Sequence, residues 1–226
     1  MATMLPNVVV DGCVLSFDPA NIKSYDGIGT TTYSLVGGTG GTLYNGVGFT
    51  SSNAGSFVFD GTNDYINTAF PVANNSDFSI CFWLNYQDTT ASVRGLMSTW
   101  NTSWNGFGIG TYLGNIRSWT NDGAGGGLNW AGITTNTWQY YSLIYNYSTK
   151  TQSVYINASN LGSETRTATI THSNLQIACG GQQGSFQLTS YPYLKCQISQ
   201  INIYNRVLSS AEILQNFNAL RGRYGI

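Results

Sequence analysis

The sequence is poor in charge. Only 8% of its 226 residues are Asp, Glu, Lys or Arg, against about 25% in an average protein. Nine Lys and Arg are spread thinly and form no basic run. That argues against a nucleic-acid partner, which would need phosphates neutralised, and against a polybasic membrane patch. No apolar run approaches the ~18–20 residues that span a bilayer. Histidine is reduced to His172, and glutamate to Glu164 and Glu212. A glycosidase commonly carries closely spaced acidic pairs along one strand, and no such run exists here. No Ser-His-Asp constellation can be read around His172. The run "GAGGG" (Gly123 to Gly127) has no lysine and no following helix, so it is not a phosphate loop.

Cysteine is equally sparse. Cys13, Cys81, Cys179 and Cys196 have no metal-like spacing, and buried free thiols are the expectation for a chain made in a reducing cytoplasm. The opening "MATMLPNVVVDG" has neither the basic region nor the apolar core of a secretory signal, which fits synthesis in the cytoplasm without a signal peptide.

What is present points to strands. Hydrophobic residues make up 42% and aromatics 14%, with 27 glycines and a net charge of −1. That is the balance of a packed β-rich domain rather than a disordered chain. In "DFSICFWLNY", Phe78, Ile80, Phe82 and Leu84 share one face while Cys81 and Trp83 take the other, so this strand should be buried on both sides. The run "WQYYSLIYNYSTKTQSVYINAS" reads as a hairpin turning at Ser148 to Thr151. In "LKCQISQINIYNRVLS", Ile198 falls out of step with Ile201 and Ile203, and a β-bulge near Ser199 and Gln200 would return all three to the core.

One helix follows. Ser209 and Glu212 have capping-box spacing, Ile213, Phe217 and Leu220 make an apolar stripe, and Gly222 can close it. The stripe is expected to cover one end of the sandwich. The glycine clusters at 37–41, 123–127 and 180–184 read as loops and not as domain boundaries. The expected fold is therefore all-β: a sandwich of two antiparallel sheets with one short C-terminal helix. It forms a single domain over 1–226 with a short N-terminal arm to about residue 8.

Two stretches carry the candidate sites. In "GSFVFDGTNDYI", Asp60 and Asp64 stand close together between aromatic residues, and could form a catalytic pair, a metal loop or a structural corner. The corner fits best. Phe57 and Phe59 point one way, Gly61 relieves the turn, Tyr65 resumes a strand, and Asp60 can accept from turn amides. The second stretch runs from Trp100 to Trp130. It interleaves Trp100, Trp104, Trp119 and Trp130 with Asn101, Asn105, Asn121 and Asp122. Flat rings beside neutral amides and carboxylates suit sugar recognition, and equally suit a core or a subunit interface. Trp83 and Trp138 are assigned to the core.

The segments "VLSFDPANIKSYDGIGTTTYSLVGGTGGTLYNG", "GSFVFDGTNDYI", "FSICFWLNY" and "ISQINIYNRVLSSAEILQNFNALRGRYG", in this order, resemble the concanavalin A-like jelly roll of laminin-G or pentraxin topology. The version they resemble is the one common in tailed-phage virion proteins. The resemblance implies a non-enzymatic protein of the virion surface, a capsid decoration or fibre component able to adhere to glycans. Its partners would be capsid or fibre subunits and sister copies, with a trimer favoured. The alternatives are a calcium-dependent lectin and, behind it, a glycan hydrolase. The resemblance also offers calcium as a cofactor, with Asp60, Asn63 and Asp64 as oxygen donors. Relatives carry acidic residues where this chain has Ser199 and Gln200.

Overall fold

The computed structural model describes residues 7–89, 93–99, 106–120, 128–165, 174–178 and 193–226. The first strands are β1 (Cys13–Phe17), β2 (Thr31–Tyr33), β3 (Gly40–Tyr44), β4 (Gly48–Thr50), β5 (Ser56–Asp60), β6 (Tyr65–Pro71), β7 (Phe78–Tyr86) and β8 (Arg94–Ser98). They are followed by β9 (Phe107–Tyr112), β10 (Asn115–Thr120), β11 (Leu128–Gly132), β12 (Trp138–Asn146), β13 (Thr151–Ile156), β14 (Ser159–Thr165), β15 (Asn174–Ile177) and β16 (Lys195–Tyr204). The helix α1 spans Ser210–Leu220. Among the described residues the strands form two sheets. The first has the order β14-β13-β12-β7-β16-β5-β4, with β1 also on β16, and the second has the order β11-β10-β9-β8-β15-β6-β3-β2. Their facing sides share one apolar core, as two stacked antiparallel sheets require.

Strand β7 is buried on both faces, as its alternation predicts. Phe78, Ile80, Phe82 and Leu84 enter the inter-sheet core, and Cys81 and Trp83 belong to a second cluster on the sheet's outer side. The hairpin β12–β13 pairs Tyr141 with Ile156 and Asn146 with Thr151, so its turn falls where the sequence places it. The bulge in β16 is present too. The register with β7 shifts between Ile198 and Ile201, and Ile198, Ile201 and Ile203 all lie in the inter-sheet core. At the same place β16 changes partner, pairing with β5 through Lys195–Ile198 and with β1 through Ile201–Tyr204.

Helix α1 begins with the expected capping box between Ser209 and Glu212. Its position differs from expectation: it covers the outer face of the first sheet and not an end of the sandwich. The reason is Trp83, whose ring would otherwise stand in water. It stacks on Tyr224 at 4.0 Å and on Phe217 at 5.8 Å between centroids. Burying one such ring against an exposed reference is worth about 2 kcal/mol or more. Trp138 is buried in the same outer cluster, touching Tyr224 and donating its indole N–H to Asn53 Oδ1 at 3.1 Å. Gly222 does not close the helix. The chain passes into a 3₁₀ turn, Arg221–Tyr224, and the left-handed residue that ends it is Gly225, at φ 75°.

Polar ties fasten this cover. Val9 N–H donates to Asn216 Oδ1, Asn216 Nδ2 to the Tyr204 hydroxyl, and that hydroxyl to Val9 C=O, a closed buried ring joining the N-terminal arm, α1 and β16. Arg223 donates to Asn53 C=O, Asp18 Oδ1, Gly55 C=O and Ser199 Oγ. The bulge residue Ser199 is therefore one of the contacts that hold the C-terminal turn. Among the described residues Cys13, Cys81 and Cys196 are free thiols, and burial pushes Cys13 and Cys81 up to about 11. Cys179, His172 and the glycine runs at 123–127 and 180–184 lie outside the described residues.

The helix cap yields a stability prediction. Glu212 accepts both guanidinium nitrogens of Arg206, at 3.1 and 2.6 Å, and the Ser209 amide. Arg206 first and the cap amide next hold its carboxyl down to about 2 from the ordinary 4.5. Its contribution is complete above about pH 4.5 and is lost as pH falls towards 2. Urea unfolding across that window should show the wild type losing stability more steeply than Glu212→Gln. At neutral pH Ser209→Ala should cost about 1 kcal/mol.

Candidate functional site

The segment with Asp60 and Asp64 is a corner that carries the chain from the first sheet to the second, from β5 into β6. Asp60 Oδ1 accepts the Thr62 amide at 2.7 Å, and Asp64 Oδ2 accepts the Asp60 amide at 3.1 Å. The Asn63 carbonyl accepts Asn45 Nδ2 at 2.9 Å. Gly61 sits at φ 80°, where a Cβ would also lie 2.9 Å from that of Lys195. Asp64 is buried and Asp60 and Asn63 are exposed. Burial raises the Asp64 carboxyl; the Asp60 amide opposes this and the nearby Asp60 charge adds to it.

Calcium takes six to eight oxygens, and these three residues do not fit it. Each contributes an oxygen already committed to the turn. Among the described residues no group of three or more His, Cys, Asp or Glu converges as a metal site. The corner is structural chemistry.

Of the aromatic stretch, Trp100, Asn101, Trp104, Asn105, Asn121 and Asp122 lie outside the described residues. Trp119 belongs to β10, its backbone opposite Gly108 of β9. Trp130 is a correction to the sugar-contact expectation. It is 8% exposed, belongs to the inter-sheet core, and donates its indole N–H to Ser118 Oγ at 2.9 Å. An amphipathic ring has gone inside because a hydroxyl there meets its one polar atom.

The second sheet offers a site the sequence did not announce. In β3 and β6, Leu43 and Ile66 are a cross-strand pair in the core, so the neighbouring pair Thr42 and Asn67 faces outward. Thr31 of the edge strand lies opposite Thr42. Together with Gly40, Ala69 and Asn174 they line an open groove of about 320 Å³, and among the described residues none that lines it is charged. Thr68, on the inward side, spends its hydroxyl on Leu175 C=O at 2.8 Å. By contrast, among the described residues the side chains of Thr31, Thr42, Asn67 and Asn174 have no hydrogen-bond partner. Two amides and two hydroxyls on a shallow, neutral, glycine-floored face can exchange donors and acceptors with a neutral polar ligand. The signal was the alternation in "GGTLY" and "YINTAF", which sets Gly40, Thr42, Asn67 and Ala69 outward beside the stacked rings of Tyr44 and Tyr65.

The corner account predicts that thermal unfolding is the same in excess calcium and in chelator. Asp64→Ala, which leaves the partly buried Asp60 amide without its acceptor, should lower stability by about 1 kcal/mol in denaturant titrations. A melting temperature raised by calcium in the wild type and not in Asp64→Ala would contradict it.

Several solved structures share the fold. The Trypanosoma rangeli sialidase in complex with sialic acid superposes with a TM-score of 0.73 at 14% identity, over 98% of this chain and 36% of that one. The binding domain of Paraclostridial Mosquitocidal Protein 1 gives 0.69 at 18% identity, over 92% of this chain and 52% of that one. The botulinum neurotoxin serotype D binding domain gives 0.70 at 14% identity, over 92% and 51%. This chain thus spans about a third to a half of those structures. No curated protein matches the sequence. A family model described as the concanavalin A-like lectin/glucanases superfamily matches residues 60–214, more than half of the chain. The chain belongs to that superfamily.

Proposed function

We propose that this chain is a non-catalytic glycan-binding module displayed on a phage particle, as a capsid decoration or fibre component. The observation that carries the glycan half is the groove on the second sheet, where Thr31, Thr42, Asn67 and Asn174 present unpartnered polar groups on a charge-free floor. Sugar hydroxyls are both donors and acceptors, and so are these side chains. The likeness to two toxin binding domains supports a binding role.

Chemistry at the groove would need an acid and a base, and among the described residues no carboxylate lines it. Glu164 stands exposed in β14, and Glu212 is engaged by the cap and Arg206. A neutral surface with no acid–base pair is suited to holding a glycan and not to cleaving it. The phage half rests on the sequence blocks quoted above. It implies capsid or fibre subunits as partners, a homo-oligomer with a trimer favoured, and the virion surface as location.

The test is a glycan-array screen of the purified protein, with calcium and with chelator, repeated for Asn67→Ala. Binding should be indifferent to chelator and weakened roughly tenfold by Asn67→Ala, the loss of one or two hydrogen bonds. Binding that vanishes with chelator would replace this reading with a calcium lectin. No binding in either condition would leave a scaffold of the virion.

A further inference from the structure

Across Thr31 from the groove lies a second hollow, of about 220 Å³, built by the connection between β1 and β2. That connection is well braced. Asn21 C=O accepts the amides of Ser24 and Tyr25, the Tyr25 hydroxyl donates to Gly29 C=O, and Asp26 Oδ1 accepts the Ile28 amide. The Tyr25 ring is held from beneath by Phe49 and Phe57, at 5.6 and 5.3 Å between centroids. Ser24 caps the edge of β2, accepting the Tyr33 amide on its carbonyl and donating its hydroxyl to Tyr33 C=O, so this edge is not open to strand addition there.

What this bracing leaves outside is apolar. Ile22 is 78% exposed, Ile28 75% and Tyr33 58%. Three large side chains held in water on an ordered framework are a feature that a bound partner would explain. Their position identifies the partner. Tyr33 lies opposite Gly40, whose missing Cβ would sit 4.0 Å from the tyrosine ring, and Gly40 is part of the groove floor. Thr31 lines both hollows. The apolar hollow is therefore continuous with the polar groove, and a chain lying in one runs into the other.

We infer that the hollow is a second subsite of the groove, so that the site takes a neutral oligosaccharide. One pyranose stacks on Tyr33 between Ile22 and Ile28 while its neighbour is held by Asn67 and Asn174. The inference rests on the glycan reading of the groove. Stacking needs an aromatic ring with an open face against the sugar's C–H side, which Tyr33 has at the sheet edge. Neutrality follows from charge. Among the described residues the linings of the two hollows contain no Lys, Arg or His, and their one carboxylate is Asp26, which repels carboxylated or sulfated sugars.

Calorimetric titration of the full chain with ladders of glucose, galactose and N-acetylglucosamine oligomers, from one to six units, tests this. Affinity should rise about tenfold or more from one unit to two or three, as a stacked second residue would give. Tyr33→Ala, an exposed change, should abolish that rise while leaving the single-unit affinity, and Tyr33→Phe should keep it. Asn67→Ala should weaken every length. Affinity independent of length, or a rise that survives Tyr33→Ala, would overturn the subsite and leave the glycan reading standing. Tighter binding of sialylated or sulfated counterparts would overturn the neutral assignment. Failure of every glycan in both titration and array would remove the groove reading and the subsite with it.

Discussion

The bulge at Ser199 and Gln200 is the constraint on which the rest of the structure depends. Strand β16 must place Ile198, Ile201 and Ile203 in one core although their spacing cannot do so in a regular strand. The extra residue solves that and lets the strand exchange β5 for β1 along one edge. It also presents the Ser199 hydroxyl, which donates to Gly55 C=O and receives Arg223. One local irregularity therefore sets the register of the first sheet and anchors the C-terminal turn over it. Straightening it would turn either Ile198 or the pair Ile201 and Ile203 out of the core.

From that anchoring follows a division between the two sheets. The first is apolar on both faces and needs a cover, which α1, the 3₁₀ turn and the N-terminal arm supply through Trp83, Phe217, Tyr224 and Val9. The second sheet turns its core residues inward, and at its β2–β3–β6–β15 end the groove's outward positions are Thr, Asn, Gly and Ala, flanked by Tyr33, Tyr44 and Tyr65. Among the described residues no helix covers the outward face at this end of the second sheet. The corner at Asp60 and Asp64, which joins the sheets, is held by hydrogen bonds from the Asp60 and Thr62 amides.

Much of this was legible wherever the cause is local. The two-faced pattern of β7, the hairpin, the bulge, the capping box and the turn at Asp60 each depend on residues a few positions apart, and their chemistry can be read from their order. Features set by packing were not legible. The helix stripe shows that α1 covers something, and only the stacked rings of Trp83, Phe217 and Tyr224 say which face. Gly222 and Gly225 are equivalent by composition; the intervening 3₁₀ turn selects the second. Trp130 looks like a sugar platform until Ser118 is found beneath it. The groove was hidden for the same reason. Its asparagines come from β6 and the start of β15, far apart in sequence, and only the strand order makes them neighbours.

The proposed site of ligand recognition is the outward face of the second sheet. Amide chemical shifts recorded by NMR while a neutral oligosaccharide is titrated in would locate the contact directly. The account predicts that the perturbed amides cluster at Thr31, Tyr33, Thr42, Asn67 and Asn174, with those of the Asp60 corner and the helix cap unmoved. Perturbations confined to the tryptophan-rich stretch from Trp100 to Asp122, with the groove silent, would contradict it.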